Sequence, residues 1–331
     1  PRSTLVPYTT LFRSASQTIT KFQNVAVFGA GANCGLGMGV DSVTVAANLD
    51  KYSAIIDLFR GTVSNVYGGS FKEGFTRRTM LNVPSSSTIS VQSLFGGAYG
   101  DDPLYPCDVY ESHVNYHSAN ATVRGNIYGG NNNADRTLYA QVNVDVPVYN
   151  GQTDPKTGSK YMSTVYGAGF GEDTWAQYTE VNLLSGAQVY EVYGGGHNGK
   201  VINRKSLLKW AKEDPSLDLS MPGYNECGLE HKTLVHPTRL GGKYHTNVHI
   251  YEGATVWNYA YGGGKGDSKK VGQGIFGSGD VYGSTYIDLL GGTVVKDLYA
   301  AGTSGAVRDS FRVTSAGLAD RKSGSAGMPR P

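Results

Sequence analysis

Carboxylates recur at a nearly fixed distance behind a set of aromatic residues, and this spacing is the pattern most suggestive of chemistry. Each lies six or seven positions after a Tyr or Phe that precedes a Gly-Gly or Gly-Ala pair. The carboxylates are Glu73, Asp101, Asp102, Asp135, Glu172, Asp173 and Asp267. If the aromatic positions are equivalent in space, these side chains form a column. The column is either a row of solvated turn residues or a Ca²⁺ site, because Ca²⁺ takes several oxygen ligands.

The aromatic residues of the same pattern form a second candidate column. They are Tyr67, Phe95, Tyr128, Tyr166, Tyr193, Tyr261 and Tyr299. Stacked inside the protein, they would fix the register between neighbouring strands. Facing solvent, the rings would offer flat apolar surfaces to a sugar, and the six tyrosines are then candidate ligand-binding residues. The sequence leaves both interpretations open.

No catalytic motif stands out. The chain has no nucleophile elbow and no His-Glu-x-x-His motif. β-Helix polysaccharide lyases and hydrolases carry their acids and bases on the outer face of a sheet, where no sequence motif reveals them. Asp173, Asp267 and Lys200 are therefore the first candidates if an active site exists. We assign no catalytic residue, and a non-enzymatic role is favoured over an enzymatic one.

The cysteines and the nearby histidines predict no metal site and no disulfide framework. Cys34, Cys107 and Cys227 are odd in number and widely spaced, so the sequence leaves their disulfide state open. No standard zinc motif matches the spacing of Cys227 and the histidines that follow it, which are His231, His236, His245 and His249. Surface histidines are the simpler interpretation.

The aromatic positions become equivalent because the chain repeats one unit. A strand with apolar residues at alternate positions meets a Gly turn, and a second short strand ends in an aromatic residue. The clearest copies are residues 179–196, 246–264 and 285–302, and a degenerate first copy ends at Phe28. Successive aromatic residues are 27 to 39 positions apart, except for one interval of 68. Periods of this size indicate a repeat architecture.

The repeat predicts an all-β parallel β-helix, or solenoid, because a short strand with one apolar face must bury it against the next copy. A kelch-like β-propeller is the alternative, although its repeats are near 50 residues. Residues 200–245 interrupt the repeat. Asn203 could cap a short helix that includes Trp210 and ends before Pro215, so we expect a partly helical insertion.

The two ends of the chain resemble translated sequencing adapters. This applies to residues 1–14, where only Val6 departs from the adapter reading, and to residues 320–331. We expect both ends to be disordered and residues 15–319 to be a single domain, a metagenomic fragment of a longer chain. The two ends hold five basic residues and one acidic residue, so without them the net charge changes from +2 to −2. A nucleic-acid partner is therefore not expected.

The repeat resembles units of the form Thr-x-Val-x-Ile-x-x-Gly-x-x-Val-x-x-Val-Tyr-Gly-Gly-Gly in large Gly-rich surface and adhesin-like proteins of Gram-negative bacteria. The resemblance implies a secreted, surface-exposed β-helix, and it identifies architecture but no ligand. Our leading hypothesis is a non-enzymatic structural or adhesive module of the cell surface, with polysaccharide or a host glycan as the candidate partner. A carbohydrate-active β-helix enzyme is the alternative. The 46 glycines and 23 tyrosines suit an extracellular β structure. No apolar run predicts a transmembrane helix, and the ligand and oligomeric state stay open.

Overall fold

The structure, a computed structural model, describes residues 25–32, 36, 53–101, 107–202, 244–267 and 278–315. These residues are all-β, without a helix, and the main sheets are parallel. The first twelve strands are β1 (Val27–Phe28), β2 (Ser53–Asp57), β3 (Thr62–Tyr67), β4 (Gly74–Val83), β5 (Ser90–Phe95), β6 (Cys107–Tyr116), β7 (Thr122–Val123), β8 (Ile127–Tyr128), β9 (Asn132–Val144), β10 (Tyr149–Thr153), β11 (Lys160–Met162) and β12 (Val165–Tyr166). The other twelve are β13 (Phe170–Leu183), β14 (Gln188–Val189), β15 (Val192–Tyr193), β16 (Lys200–Ile202), β17 (Thr246–Tyr251), β18 (Thr255–Val256), β19 (Ala260–Tyr261), β20 (Val281–Tyr282), β21 (Thr285–Leu290), β22 (Thr293–Val294), β23 (Leu298–Tyr299) and β24 (Phe311–Ser315).

Three parallel sheets and one antiparallel hairpin contain these strands. Sheet 1 has the order β1-β3-β5-β8-β12-β15-β19-β23, and β7 also pairs with β5. Sheet 2 has the order β2-β4-β6-β9-β13-β17-β21-β24, with β16 and β20 attached beside this path. Sheet 3 is β14-β18-β22, and the hairpin is β10-β11. Every strand of sheet 1 ending in a repeat aromatic pairs with the equivalent strand of the next copy, so the sequence alignment of the copies is confirmed.

One apolar core joins the three parallel sheets. Val181 and Leu183 of sheet 2, Val192 of sheet 1 and Val189 of sheet 3 are all fully buried in the same cluster. Their strands alternate, so the residues between them point away from this core. The period-two pattern in the sequence therefore predicted the core-facing residues correctly.

Glycines let neighbouring copies approach closely at the end of each short strand. A Cβ on Gly194 would lie 2.3 Å from the carbonyl oxygen of Gly262 in the next copy. The same contact, at 2.1 to 2.4 Å, recurs at Gly29, Gly68, Gly96, Gly129, Gly167 and Gly262. No real Cβ tolerates such a distance, so any side chain here would push two copies apart.

Hydroxyl groups tie sheet 2 to these glycine positions. Thr246 Oγ1 donates to the carbonyl of Gly262 at 2.6 Å, and Thr179 Oγ1 donates to that of Gly194 at 2.5 Å. Thr79 and Ser112 make the equivalent bonds to the carbonyls of Gly96 and Gly129, and Thr285 donates to the carbonyl of Ala300, which takes the glycine position in the last copy, at 2.5 to 2.7 Å. Each bond satisfies a buried backbone carbonyl, which explains why the repeat begins with Thr.

Parallel pairing contradicts the β-propeller alternative, because the sheets of propeller blades are antiparallel. The predicted insertion 200–245 also needs correction at its start. Lys200–Ile202 forms strand β16, which pairs in parallel with β13 and β20 and so belongs to sheet 2. The predicted helix from Asn203 lies outside the described residues, as do both predicted adapter segments.

Candidate functional site

The predicted aromatic column is a continuous ladder of stacked rings. Consecutive rings from Phe28 to Tyr299 have centroids 4.6 to 5.1 Å apart and planes within 4 to 15° of each other. Because each aromatic residue follows a core-facing residue in sheet 1, the ladder lies on the sheet face away from the core. Offset stacking of this kind adds stability beyond the area that the rings bury.

A second layer covers the ladder. Tyr99 contacts Tyr67 edge-on at 5.6 Å, and His197 stacks on Tyr166 at 5.3 Å. Exposure is therefore 2 to 9% for Tyr67, Tyr128, Tyr166, Tyr193 and Tyr261, while Tyr299 is half-buried. The five buried tyrosines therefore form an internal stack and not a solvent-facing platform for sugars, while Tyr299 at the end of the ladder is partly open.

Burial also fixes the protonation of the ladder. It raises the pKa of Tyr128 to about 12, although the hydrogen bond that Asn126 donates to the Tyr128 hydroxyl works in the opposite direction. Burial likewise raises the pKa of Tyr166 and Tyr193. The ladder hydroxyls are therefore neutral over the physiological range and act as structural hydrogen-bonding groups.

The predicted carboxylate column is offset in space. Asp173 pairs with Ala134, and Asp135 pairs with Thr174, because β13 holds one extra residue beyond Phe170. Gly171 lies in this irregular stretch with φ of 109°. Equal spacing in sequence therefore does not place these acids in one row.

The remaining acids include one ion pair and form no cluster of three among the described residues. Glu73 is exposed, and Asp101 forms an exposed ion pair with Lys72 at 3.2 Å. Asp267 is half-buried, and its backbone N–H donates to Ser278 Oγ at 3.2 Å. Asp102 and the side chain of Asp135 lie outside the described residues. Within the part of the chain that the structure describes, no three His, Cys, Asp or Glu side chains group as a metal site would require.

The candidate catalytic residues are only partly brought together. Lys200 donates to the backbone carbonyl of Glu172. Burial lowers the pKa of Lys200, and the charges of Asp173, Glu172 and Asp280 partly oppose this shift. Asp173 and Lys200 are thus close enough to interact.

The cysteines and histidines form no cluster in the described residues. The Sγ of buried Cys107 lies 3.3 Å from Ser70 Oγ. The His245 ring stacks on the Tyr178 ring with the ring centres 5.1 Å apart. His249 Nδ1 lies 3.7 Å from Asp288 Oδ2. Cys34, Cys227, His231 and His236 lie outside the described residues.

Sheet 2 carries a polar network on the face away from the core that the sequence did not predict. His113 Nε2 lies 2.6 Å from Glu111 Oε1, and His113 Nδ1 lies 2.9 Å from Gln141 Oε1. Gln141 donates to Glu180 at 3.2 Å, and the Tyr139 hydroxyl donates to Glu180 at 3.3 Å. These residues come from three successive long strands, β6, β9 and β13, so only the parallel register assembles them.

The network holds its carboxylates in place. Burial alone would raise the pKa of Glu111, but the hydrogen bond and charge of His113, together with the charge of Arg78, lower it overall. Burial is also the main reason that the pKa of Tyr139 is raised, and the charge of Glu180 adds to it. The hydrogen bond and the charge of His113 therefore stabilise the charged form of Glu111.

A ladder of asparagines continues this network along sheet 2. In each copy the asparagine Nδ2 donates at 2.9 Å to the side-chain oxygen of the equivalent residue in the preceding copy. The ladder starts at the acceptor Asp57 and continues through Asn82, Asn115, Asn143 and Asn182. Such a ladder fixes the register of parallel strands, because a one-residue shift would break every bond at once.

Among the exposed aromatic side chains, which also include Tyr161 and Phe311, two lie on adjacent copies of the repeat. Tyr190 and Trp257 are 45% and 48% exposed, and they directly follow the equivalent residues Val189 and Val256 of sheet 3. The inward valines turn both aromatic residues outward on adjacent copies. The Trp257 Nε1 donates to Gln188 Oε1 at 3.2 Å, which orients the indole.

The period-two alternation after the inward valines was the sequence signal for this pair. This signal is weak in the sequence, because the outward position holds an aromatic residue in only two copies, whereas the aromatic residue before the glycines is present in every copy. We call Tyr190 and Trp257 the open aromatic pair.

The hairpin β10-β11 rises from the same face, between Arg124 and the open aromatic pair. Arg124 follows the buried Val123 of sheet 1 just as Tyr190 follows the buried Val189 of sheet 3, and the Ser163 hydroxyl donates to the backbone carbonyl of Val123. The hairpin returns at Ser163, whose backbone carbonyl accepts from the Tyr190 N–H at 2.9 Å. We call the surface that contains Arg124, the hairpin and the open aromatic pair the hairpin face.

The fold and these surfaces define an all-β protein of stacked parallel sheets. Comparison with models of protein families, with curated proteins and with solved structures found no match to this chain. None of the described residues forms a helix that is long and apolar enough to cross a membrane.

Proposed function

We propose that the chain is a parallel β-solenoid that serves as a non-enzymatic structural and adhesive module of an extracellular or cell-surface protein. It contacts glycans through the open aromatic pair. The solenoid is supported by the pairing of each copy with the next in sheets 1, 2 and 3. The resemblance to Gly-rich surface and adhesin-like proteins supports the location.

The exposure of Tyr190 and Trp257 is the observation that carries the adhesive role. Elsewhere the fold covers its repeat aromatics, so two large exposed rings on neighbouring copies need a reason. The C–H faces of a pyranose ring are apolar, and an exposed indole or phenol ring packs against them while its polar edge stays hydrated. Two rings on adjacent copies would contact successive sugars of a chain.

The test is a binding measurement on residues 15–319 with a panel of polysaccharides, with and without EDTA. We expect binding by the wild type, weaker binding by Trp257→Ala and unchanged binding by Val295→Ala. Val295 is a suitable control because it lies in the same outer row and is 51% exposed but has no ring. Absence of binding to every glycan would overturn the glycan-contacting role.

A carbohydrate-active enzyme is the second candidate, because Glu111, Glu180 and Tyr139 share one network on an outer sheet face. Hydrolases use pairs of carboxylates, and His113 and Gln141 connect Glu111 to Glu180 in this network. The same panel distinguishes the two candidates. Release of new reducing ends or unsaturated products would contradict the non-enzymatic proposal, and loss of that release in Glu180→Gln would locate the activity in the network.

A further inference from the structure

The hairpin stands over a groove that belongs to the hairpin face. Two adjoining cavities of about 190 and 530 Å³ share Thr122, Gly151 and Gln152 in their walls. The larger cavity is wide open to solvent, so a ligand bound there would keep one side exposed. The hairpin face therefore carries two candidate binding features, the open aromatic pair and this groove.

The walls of the groove are polar and basic. Arg124 lines one cavity and Lys160 lines the other, and neither cavity has an Asp or Glu in its lining. The amides come from Gln92, Asn150 and Gln152 on the two sides of the larger cavity and from Asn120 in the smaller one. The groove is therefore positively charged, whereas residues 15–319 as a whole carry a net charge of −2.

Both cations lack a carboxylate partner among the described residues. Arg124 is exposed and donates one bond, from Nη2 to the backbone carbonyl of Val63 at 3.3 Å. Lys160 is exposed, with its Nζ 4.4 Å from the centre of the Tyr149 ring. Their remaining N–H groups face solvent or the groove, where they can donate to an anion.

Gly151 keeps the hairpin close to the sheet. Its φ is 83°, and a Cβ at this position would lie 2.8 Å from the Cγ2 of Thr122. The hairpin backbone therefore crosses strand β7 at a distance that only glycine allows. Because Gly151 lies in both cavity walls, the same contact sets the shape of the groove.

We propose that this groove is a binding subsite for the carboxylate-bearing units of an acidic polysaccharide. The inference rests on the proposed glycan-contacting function and adds its charge selectivity. Arg124 binds the sugar carboxylate through its planar pair of N–H donors, and Lys160 adds a second positive charge. The three amides of the larger cavity exchange hydrogen bonds with sugar hydroxyls, and the open aromatic pair packs on neighbouring units of the same chain.

The experiment compares two ligands that differ only in charge. Polyglucuronic acid and its carboxyl-reduced form, a neutral glucan of the same linkage, are titrated calorimetrically into residues 15–319 at 50 and 200 mM salt. We expect the wild type to prefer the acidic polymer at least tenfold, and the preference to shrink at the higher salt concentration. Arg124→Gln/Lys160→Gln should abolish the preference, so that the acidic and the neutral polymer bind with similar affinity.

Lys156→Gln is the matched control, because it removes one positive charge from the exposed turn of the same hairpin without touching the groove. It should keep the preference within about twofold of wild type. A second variant, Gly151→Val, should lift the hairpin and lose the preference while both cations remain. The far-ultraviolet circular dichroism of each variant establishes that it is folded.

Three results would overturn the inference. One is equal wild-type affinity for the acidic and neutral polymers; a second is an unchanged preference in the double variant. The third is binding of single-stranded DNA as tight as that of polyglucuronic acid, which would show general anion attraction. In all three cases, weaker binding by Trp257→Ala would leave the proposed function intact, whereas failure to bind any glycan would remove both.

Discussion

Two sets of aromatic residues point away from the same core, and the structure buries one and exposes the other. The ladder through Tyr166 and Tyr193 lies on sheet 1 and is 2% exposed at both positions. Tyr190 and Trp257 lie on sheet 3 and are nearly half exposed. The difference comes from the chain that follows, because the segments after the glycine pairs lay Tyr99, Phe170 and His197 over the ladder. Orientation away from the core therefore does not by itself make an aromatic residue available to a ligand.

The comparison assigns stability to the ladder and recognition to the open pair. Each ladder ring touches the rings of the copies on either side, so its loss affects three copies. Both open rings meet solvent, and Trp257 also donates to the Gln188 side chain. The predictions below separate these two roles, beginning with the largest expected effect.

Truncating one ring in each set is the most direct test of the comparison. Tyr166→Ala removes a ring stacked at 5.0 and 4.9 Å on its two neighbours and should lower the free energy of unfolding by about 4 kcal/mol. Trp257→Ala should change it by no more than about 0.5 kcal/mol, because the residue is exposed. Urea denaturation measures both. Similar losses in the two variants would mean that the rings do not differ in role.

The glycines beside the ladder test whether close approach of the copies is required. Gly194→Ala places a Cβ 2.3 Å from the carbonyl oxygen of Gly262, and we expect a loss of about 3 kcal/mol. Gly158→Ala is the control, because a Cβ there meets nothing within 4 Å. Its φ of 71° still costs about 1 kcal/mol. Equal losses would contradict the steric explanation.

Removing a single hydroxyl should have a smaller effect. Thr246→Val deletes the bond to the carbonyl of Gly262 and keeps the shape of the side chain. We expect a loss of about 1 to 3 kcal/mol, because the buried carbonyl loses its side-chain donor. Thr246→Ser, which keeps the hydroxyl, should retain more of the stability than the valine variant does. The reverse order would show that the methyl group, not the bond, matters.

The layer over the ladder should make stability depend on pH. Burial, with a smaller contribution from the charge of Lys265, lowers the pKa of His197 to about 4. The unfolded chain takes up this proton near pH 6.5, so stability falls as the pH decreases from about 6.5 to 4. The contribution should be below about 1 kcal/mol, because His197 is only partly buried and solvent screens its charge.

His197→Phe tests this assignment because it keeps a ring against Tyr166 and removes the titrating group. Thermal denaturation at pH 7.0 and at pH 4.5 should show a smaller difference in melting temperature for the variant than for the wild type. His245, whose pKa burial also lowers to about 4, should account for part of the difference that remains. An unchanged difference would exclude His197 as its source.

The sequence determined the repeat, the strands and the core. Period-two valines and leucines, glycine pairs and Thr at the start of each unit recur often enough to predict which residues of each copy pair with the next. Parallel strands bury their apolar faces only by stacking on their equivalents, so the alternation in the sequence was sufficient for these features.

Only the tertiary structure decided which residues form a candidate site. The path of the chain between strands determines what covers the ladder, and one extra residue in β13 moves Asp173 out of line with Asp135. The network of Glu111 and Glu180 and the groove of Arg124 and Lys160 join residues from different copies. These contacts depend on register and on segments that do not repeat, and a repeat pattern carries no information about segments that differ between its copies.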